Sequence, residues 1–336
     1  MSGNAKSSSD NPIDVVIAWV DGNDPKLTEK RNSFLTGTSH TISSGAHSTL
    51  FASLDEIRYC VLSIFRFAPF VRNIFIVTDE QDPNVFDDIK KYFPERLNSV
   101  RIVDHKEIFE GYEKYLPTFN SISIASMIWR IKGLSENFVY FNDDVILIRD
   151  VRPEDWFVNG RPVLRGQWRL PPYRKILGIR IKVLINKYLR KNRGYQPKTS
   201  FYIRQWETGS LYGMKMRYFF HCHTPHPINR TTIEKYFSEN SEMLEKNISY
   251  RFRSPEQFLM ISSTYHLEIL NGNRQFAKLN LGYLHPYYST SRLNRRIRRC
   301  ENDRNIKFVC VQNLDMMGRD EQNNIFNWME RMLSLR

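Results

Sequence analysis

The chain is predicted to be an α/β protein: a mostly parallel sheet with helices on both faces, then a helical, basic C-terminal part. Three observations carry this. Four short apolar runs, at 13–20, 73–78, 100–103 and 138–141, alternate with helix-spaced segments in the first half. Each run ends in an acidic or turn-forming residue. And 336 residues, 41% of them hydrophobic, can bury one large domain or a domain with a sub-domain.

The elements follow in order. The run 13–20 (IDVVIAWV) reads as a buried strand, closed by the turn cluster Asp21-Gly22-Asn23-Asp24-Pro25. Ser53 with Glu56 three residues on forms a capping box. It opens a helix with apolar Ile57, Val61, Ile64, Phe65 and Ala68, stopped by Pro69. Strands at 73–78 and 100–103 end at Asp79 and at Asp104-His105, a helix is expected over 121–133, and the strand 138–141 ends in Asn142-Asp143-Asp144. Residues 161–204 break this rhythm, with 176–189 apolar on one side and basic on the other. Further helices are expected at 231–237, 255–268 and 321–335. The division that follows is a loose polar tail at 1–11, a ligand-binding core at 12–160, a basic insertion at 161–205, and a part at 206–336 that completes the site.

Charge narrows the function. Lys plus Arg number 49 against 36 acids, a net +13. Between Trp156 and Trp206 stand 13 basic residues and no acid, and Arg292, Arg295, Arg296, Arg298 and Arg299 form a second cluster. A local excess means a local anionic partner. The stretch lacks RNA-binding consensus and zinc-finger spacing, so nucleic acid is not expected. It suits a track for a polyanionic acceptor, the reading preferred at this point, or an amphipathic face on an anionic membrane; Arg180, Lys182, Lys187, Arg190 and Lys191 are its densest part. No apolar run approaches the roughly 18 residues of a membrane span, and the Ser-rich start has no apolar signal core. A cytoplasmic protein is expected, peripheral at most on the inner face of the membrane. The four cysteines include no CxxC pair, so disulfides are not expected.

In an open parallel sheet the ligand lies beyond the carboxyl ends of the strands. Asp21, Asp79, Asp104, Asp143 and Asp144 would gather there. Any one of them is an ordinary turn former or cap, but adjacent Asp143 and Asp144 directly after an apolar strand repel each other and call for a cation, Mg²⁺ by their oxygen ligands. His221-Cys222-His223-Thr224-Pro225-His226 carries zinc-type residues without the second separated pair that structural zinc uses. Acid–base work suits it better. Arg251 and Arg253 suit phosphate.

Taken in order, these motifs resemble the Stealth family of sugar-phosphate transferases. Residues 13–25 (IDVVIAWVDGNDP) are similar to its first conserved region. DEIRY at 55–59, APFVRNIFIVTD at 68–79, VDHKEIF at 103–109, LPTFNS at 116–121 and YFNDDV at 140–145 are similar to its second. HTPHPINR at 223–230, with 251–257 after it, resembles the third, and FVCVQN at 308–313 the fourth. The chain departs from the pattern at Ala125, where many relatives carry Glu.

The resemblance implies a GT-A-like, Rossmann-related fold and a capsular polysaccharide enzyme. It implies transfer of a sugar-1-phosphate, such as N-acetylhexosamine-1-phosphate, from a nucleotide-diphospho-sugar (UDP-N-acetylhexosamine) to a hydroxyl of a polyanionic saccharide acceptor. A nucleoside monophosphate leaves, and Mg²⁺ assists, with Mn²⁺ as the alternative. Asp143 and Asp144 are expected to hold the metal. Arg251 or Arg253 would stabilise the transferred phosphate, with His226 the general base or acid and His223 second. Trp19, Asp21, Gly22, Asp79 and Asn142 are expected around the nucleotide sugar, with Asn120 and Arg58 supporting the rim. Contact with the inner membrane or with capsule machinery would fit the basic stretch. The alternatives are a metal-dependent GT-A glycosyltransferase releasing a nucleoside diphosphate, and a non-enzymatic polyanion- or membrane-binding protein.

Overall fold

The computed structural model describes residues 11–35, 54–189 and 200–335. Ser53, the tail at 1–10, and Arg190 and Lys191 of the basic stretch lie outside them.

The central sheet is built from β1 (Ile13–Ala18), β2 (Val71–Thr78), β3 (Val100–Asp104) and β4 (Asn137–Asn142), all parallel, in the order β4-β1-β2-β3. Side chains alternate along each strand, so a strand buried on both faces feeds two cores. That division is visible residue by residue. Val15, Ile17, Ile74, Ile76, Val139 and Phe141 enter one cluster with helix α2 (Glu56–Phe67), which follows α1 (Pro25–Ser33) in the chain, and with the C-terminal helix Arg319–Leu333. Val16, Phe75, Val77, Phe138 and Tyr140 enter the other, with helices Arg230–Glu239, Ser241–Ile248 and Met260–Leu270. The mixed α/β class with a mostly parallel, doubly covered sheet is therefore what the periodicity indicated.

The edge beyond β4 is closed by an antiparallel strand, His226–Asn229, that the sequence reading did not assign. Just after β4 the chain turns through Asp143-Asp144 into β5 (Val145–Leu147), which leaves the first sheet for a second one. There it pairs antiparallel with Phe308–Val311, itself parallel to Leu281–Leu284. The two acidic residues thus sit at the joint between two sheets.

Two helices differ from expectation. The helix expected over 121–133 stops at Ala125, and a 3₁₀ turn follows at Ile128–Arg130. Ser126 returns its hydroxyl to the Ile122 carbonyl and Trp129 gives its indole N–H to the Ser126 carbonyl, offering the backbone local alternatives to the ladder. The helix expected from 255 begins at Met260, because 254–258 is held by buried polar side chains instead. No helix among the described residues is long and apolar enough to cross a membrane.

Candidate functional site

The parallel strands place their carboxyl ends on one rim. Three of the expected acids are engaged locally. Asp21 accepts from the Asn23 amide at 2.8 Å, while its own backbone is bracketed by the Gln81 side chain at 3.0 and 2.9 Å. Asp79 pairs with Lys30 at 2.8 Å. Asp104 caps the turn that follows by accepting from the Lys106 amide at 2.8 Å. Trp19 is buried and extends β1 toward the rim, its amide donating to the Val77 carbonyl. The Gly22 carbonyl accepts from the Thr28 hydroxyl and so ties the turn to helix Pro25–Ser33.

Asp143 and Asp144 stand differently. Burial, and then the charges of Asp144 and Glu56, hold the Asp143 carboxyl well above the usual range. Burial raises Asp144 as well, against the opposing pull of His223 and of the Cys310 thiol. Cys310 donates to Asp144 Oδ2 at 3.3 Å, and the Val311 amide to the Asp144 carbonyl at 2.8 Å. Asp144 Oδ1 is buried and accepts from nothing among the described residues. Glu56, at the start of α2, is itself raised, first by burial and more weakly by Asp144 and Asp315. A carboxylate with an unanswered buried oxygen beside two more acids is a set of oxygens that could hold a cation.

His223 shares this place. Its ring, an oxygen of Asp144 and the Cys310 sulfur offer ligand atoms all within 4.8 Å of one another. Asn142 lies 3.1 Å away, its side-chain amide facing His223 Nδ1. With the amide donating, Nδ1 accepts and the neutral ring carries its proton on Nε2. Tyr283 closes the same side, bonded to Gln312 and pushed up by burial, then by Cys310 and Asp144.

His226 is set deeper. It opens the edge strand opposite Tyr140, is buried, and shares a 3.0 Å hydrogen bond with the Tyr265 hydroxyl. Its ring lies 4.9 Å from that of His221, edge to face. Burial first, then His221 and His223, hold its pKa well below the ordinary histidine value. His221 bonds to the Ser262 hydroxyl at 3.0 Å and is pushed down to about 3 by burial. Both are neutral near pH 7.

The arginine segment is clamped to the sheet side by a buried polar network. Asn120 donates to the Tyr250 carbonyl at 2.8 Å and to Gln257 Oε1 at 2.9 Å. Gln257 returns to the Asn247 carbonyl at 2.7 Å, and Asn247 holds Ser126 at 3.0 Å. Within the segment so fixed the two arginines diverge. Arg251 donates to the Pro117 carbonyl at 2.9 Å and lies over the Phe34 ring. Arg253 is sunk inward, donating to the Ser121 hydroxyl at 2.6 Å. Burial, then the like charge of Arg204, lower its pKa, and Tyr140 opposes them. Tyr140 in turn feels Asp143, Arg253 and Asp144, so carboxylates and guanidinium flank one phenol.

The structure therefore brings together Asn142, Asp143, Asp144, His223 and, across Tyr140, Arg253. Asn120 supports them through the clamp. Arg58 is placed elsewhere: it forks onto Asp88 at 2.6 and 2.8 Å in the packing of α2. Cys310, Tyr283, Arg204, Asn247 and Gln257 were not singled out from sequence. Cys310 and Gln257 fall inside the quoted motifs, and that position was their one available signal.

Comparison with known proteins is consistent over most of the chain. Family models described as Stealth protein CR1, conserved region 1, and Stealth protein CR2, conserved region 2, match residues 11–39 and 50–163. An exopolysaccharide phosphotransferase of Streptomyces coelicolor is 33% identical over 278 residues, 81% of this chain and 41% of its own length. The receptor polysaccharide phosphotransferase WefC of Streptococcus gordonii is 32% identical over 258 residues, covering 72% of this chain and 74% of WefC. The chain spans less than half the length of the Streptomyces relatives it matches. Among solved structures, the galactosyltransferase LgtC with donor and acceptor sugar analogs aligns over 96% of this chain and 95% of that one. At 13% identity and a TM-score of 0.41, that likeness is too distant to build on.

Proposed function

This chain belongs to the Stealth family, and from that premise we propose that it transfers a sugar-1-phosphate from a nucleotide-diphospho-sugar to a saccharide hydroxyl in capsule-type polysaccharide synthesis. The observation that carries the reading is the Asp143–Asp144 pair, both raised by burial and Asp143 further by the charge of Asp144, with one Asp144 oxygen left unanswered. Such a pair fits a divalent cation that also binds a diphosphate. The oxygen donors favour Mg²⁺ or Mn²⁺. Cys310, held well above the ordinary thiol pKa by burial and by Asp144, acts as a proton donor to Asp144 rather than as a thiolate. When bound, the cation would neutralise diphosphate charge and favour departure of the nucleotide.

The remaining roles belong to the chain's own side chains. The acceptor oxygen forms a bond to the phosphorus that bears the sugar. The phosphoanhydride bond breaks, and the nucleoside monophosphate leaves with the bridging oxygen. Arg253, preset by the clamp, meets the charge of the transferred phosphate, and Arg251 steadies the segment through Phe34 and Pro117. His223 is the imidazole beside the carboxylates and handles the acceptor proton. His226, buried behind it, holds the segment in register. This reverses the order of the two histidines expected from sequence. Trp19, Asp21, Gly22 and Asp79 form the rim on which the nucleotide sugar lies.

The test is the nucleotide product. The protein is incubated with a panel of nucleotide sugars, Mg²⁺ and a saccharide acceptor, and the released nucleotide is identified by mass spectrometry. A monophosphate with a phosphodiester-linked product supports the proposal; a diphosphate with a plain glycoside replaces it by the glycosyltransferase reading.

A further inference from the structure

Helix α3 (Tyr173–Tyr188) turns its apolar side outward. At about 100° per residue, Tyr173, Leu177, Ile181, Leu184, Ile185 and Tyr188 fall within an arc of roughly 120°. All six are exposed, Leu177 at 59% and Leu184 at 53%. The opposite side, with Ile176, Ile179 and Val183 half-buried and Asn186 buried, is what packs on the protein. Tyr173, exposed over most of its surface, also meets Trp206 edge to face, and Lys175 lies over Tyr202; both contacts tie the helix to its neighbour Phe201–Leu211. A helix that packs by its mixed side and offers its apolar side to water has the opposite sense from an ordinary surface helix.

The charges define what covers that face. Arg174, Lys175 and Lys182 stand at or past one margin of the arc, Arg180 and Lys187 past the other, and no acid occurs anywhere in the helix. An apolar stripe bordered on both sides by cations matches a layer that is anionic at its surface and hydrocarbon beneath. A soluble polyanion would use the cations and leave six large apolar side chains in water. We propose that α3 docks in the plane of an anionic lipid bilayer, with Leu177, Ile181 and Leu184 inserted and the flanking Arg and Lys at the headgroups.

The consequence for the site is spatial. α3 and the helix it rests on enclose a groove of about 710 Å³ lined in part by Ile203, Trp206 and Pro255. Pro255 stands two residues after Arg253, and Arg204 lies between Ile203 and Trp206 on the supporting helix. Docking by α3 would hold this side of the site near the bilayer.

The experiment is vesicle co-sedimentation with the whole chain. Vesicles of phosphatidylglycerol mixed with phosphatidylcholine are compared with phosphatidylcholine alone. Three proteins are used: wild type, Leu177→Asp with Leu184→Asp, and Arg180→Gln with Lys187→Gln. These side chains are exposed, and circular dichroism melts check that the folds match. The expected result is salt-sensitive binding to the anionic vesicles only. It should fall about thirtyfold in the charge variant, from about 1 kcal/mol per basic residue, and below detection in the Asp variant. Wild type that ignores anionic vesicles, or an Asp variant that binds them as well as wild type, overturns the proposal. So does a wild-type dimer in sedimentation velocity that the Asp variant loses, which would make a second copy the occupant. Retention on an anionic polysaccharide, lost in the charge variant and unaffected by Asp, would make the face an acceptor track and equally overturn it. Transfer to a short soluble acceptor is measured in parallel and should be unchanged in both variants, so a failure here and a failure of the transfer reading are separately visible.

Discussion

Acid should weaken this protein through the buried His266. His266 lies on Met260–Leu270, donates from Nδ1 to the Ser262 carbonyl at 2.6 Å, and accepts at Nε2 from the Phe219 amide at 3.2 Å. Gly209 approaches so closely that a side chain there would meet the ring. Protonation would break the Phe219 bond, and burial holds the pKa down at about 4 against a usual 6.5. The unfolded chain therefore binds this proton at a higher pH than the native one. Stability is full above pH 6.5, falls as the pH drops through that value, and is lost in full at about pH 4. The gap of about 2.5 pH units, at about 1.4 kcal/mol each, amounts to about 3.5 kcal/mol, of which about 2 is gone by pH 5. Glutamine can reproduce both hydrogen bonds without titrating. Urea unfolding of wild type and His266→Gln, near pH 7.5 and near pH 5, reads the difference directly. The variant should gain about 2 kcal/mol relative to wild type on moving to the lower pH. A difference between the two proteins that does not change with pH would refute the reasoning. If it holds, the acid limb of any activity profile reports loss of the fold around His221–His226 as well as proton transfer.

Four other outcomes are expected. Chelation should abolish transfer and Mg²⁺ or Mn²⁺ restore it; full turnover in chelator would remove the metal from the site. Asp144→Asn should lose at least about a hundredfold in turnover, the scale of one strong transition-state stabiliser. Arg253→Ala should cost turnover at least about tenfold more than Arg251→Ala; equal losses would undo the distinction drawn from Ser121 and Phe34. His223→Ala should lower kcat with donor KM nearly constant, whereas His226→Ala should lower thermal stability as well. A loss confined to KM in the first variant would make His223 a binding residue.

Much of this architecture was legible because its signals are local. Four apolar runs and their terminal acids placed β1 to β4 to within two residues, and two cores on a doubly covered sheet follow from period-two alternation alone. What escaped was long-range. Asn247 and Gln257 look like ordinary polar residues until folding sets them against Asn120 and Ser126, and Cys310 means nothing until a second sheet brings it to Asp144. The helix expected to run through 133 failed for a different reason: a single Ser126 hydroxyl satisfied the backbone locally. Arg58, expected at the rim, is claimed by Asp88, a partner thirty residues on that periodicity does not reveal.

The antiparallel strand His226–Asn229 has a consequence for how the chain is made. Until it arrives, β4 is the outer strand of the growing sheet, and its FVYF run presents unpaired N–H and C=O groups along one side. Residue 229 follows residue 142 by 87 positions, so at about 5–20 residues per second the ribosome leaves that edge open for roughly five to twenty seconds. Through that interval the sticky strand lies immediately before Asp143 and Asp144, two adjacent like charges. Their repulsion toward a second copy of themselves makes β4 a poor template for pairing between nascent chains. Two acids placed directly after an open apolar strand have the position and charge of gatekeepers against aggregation during synthesis.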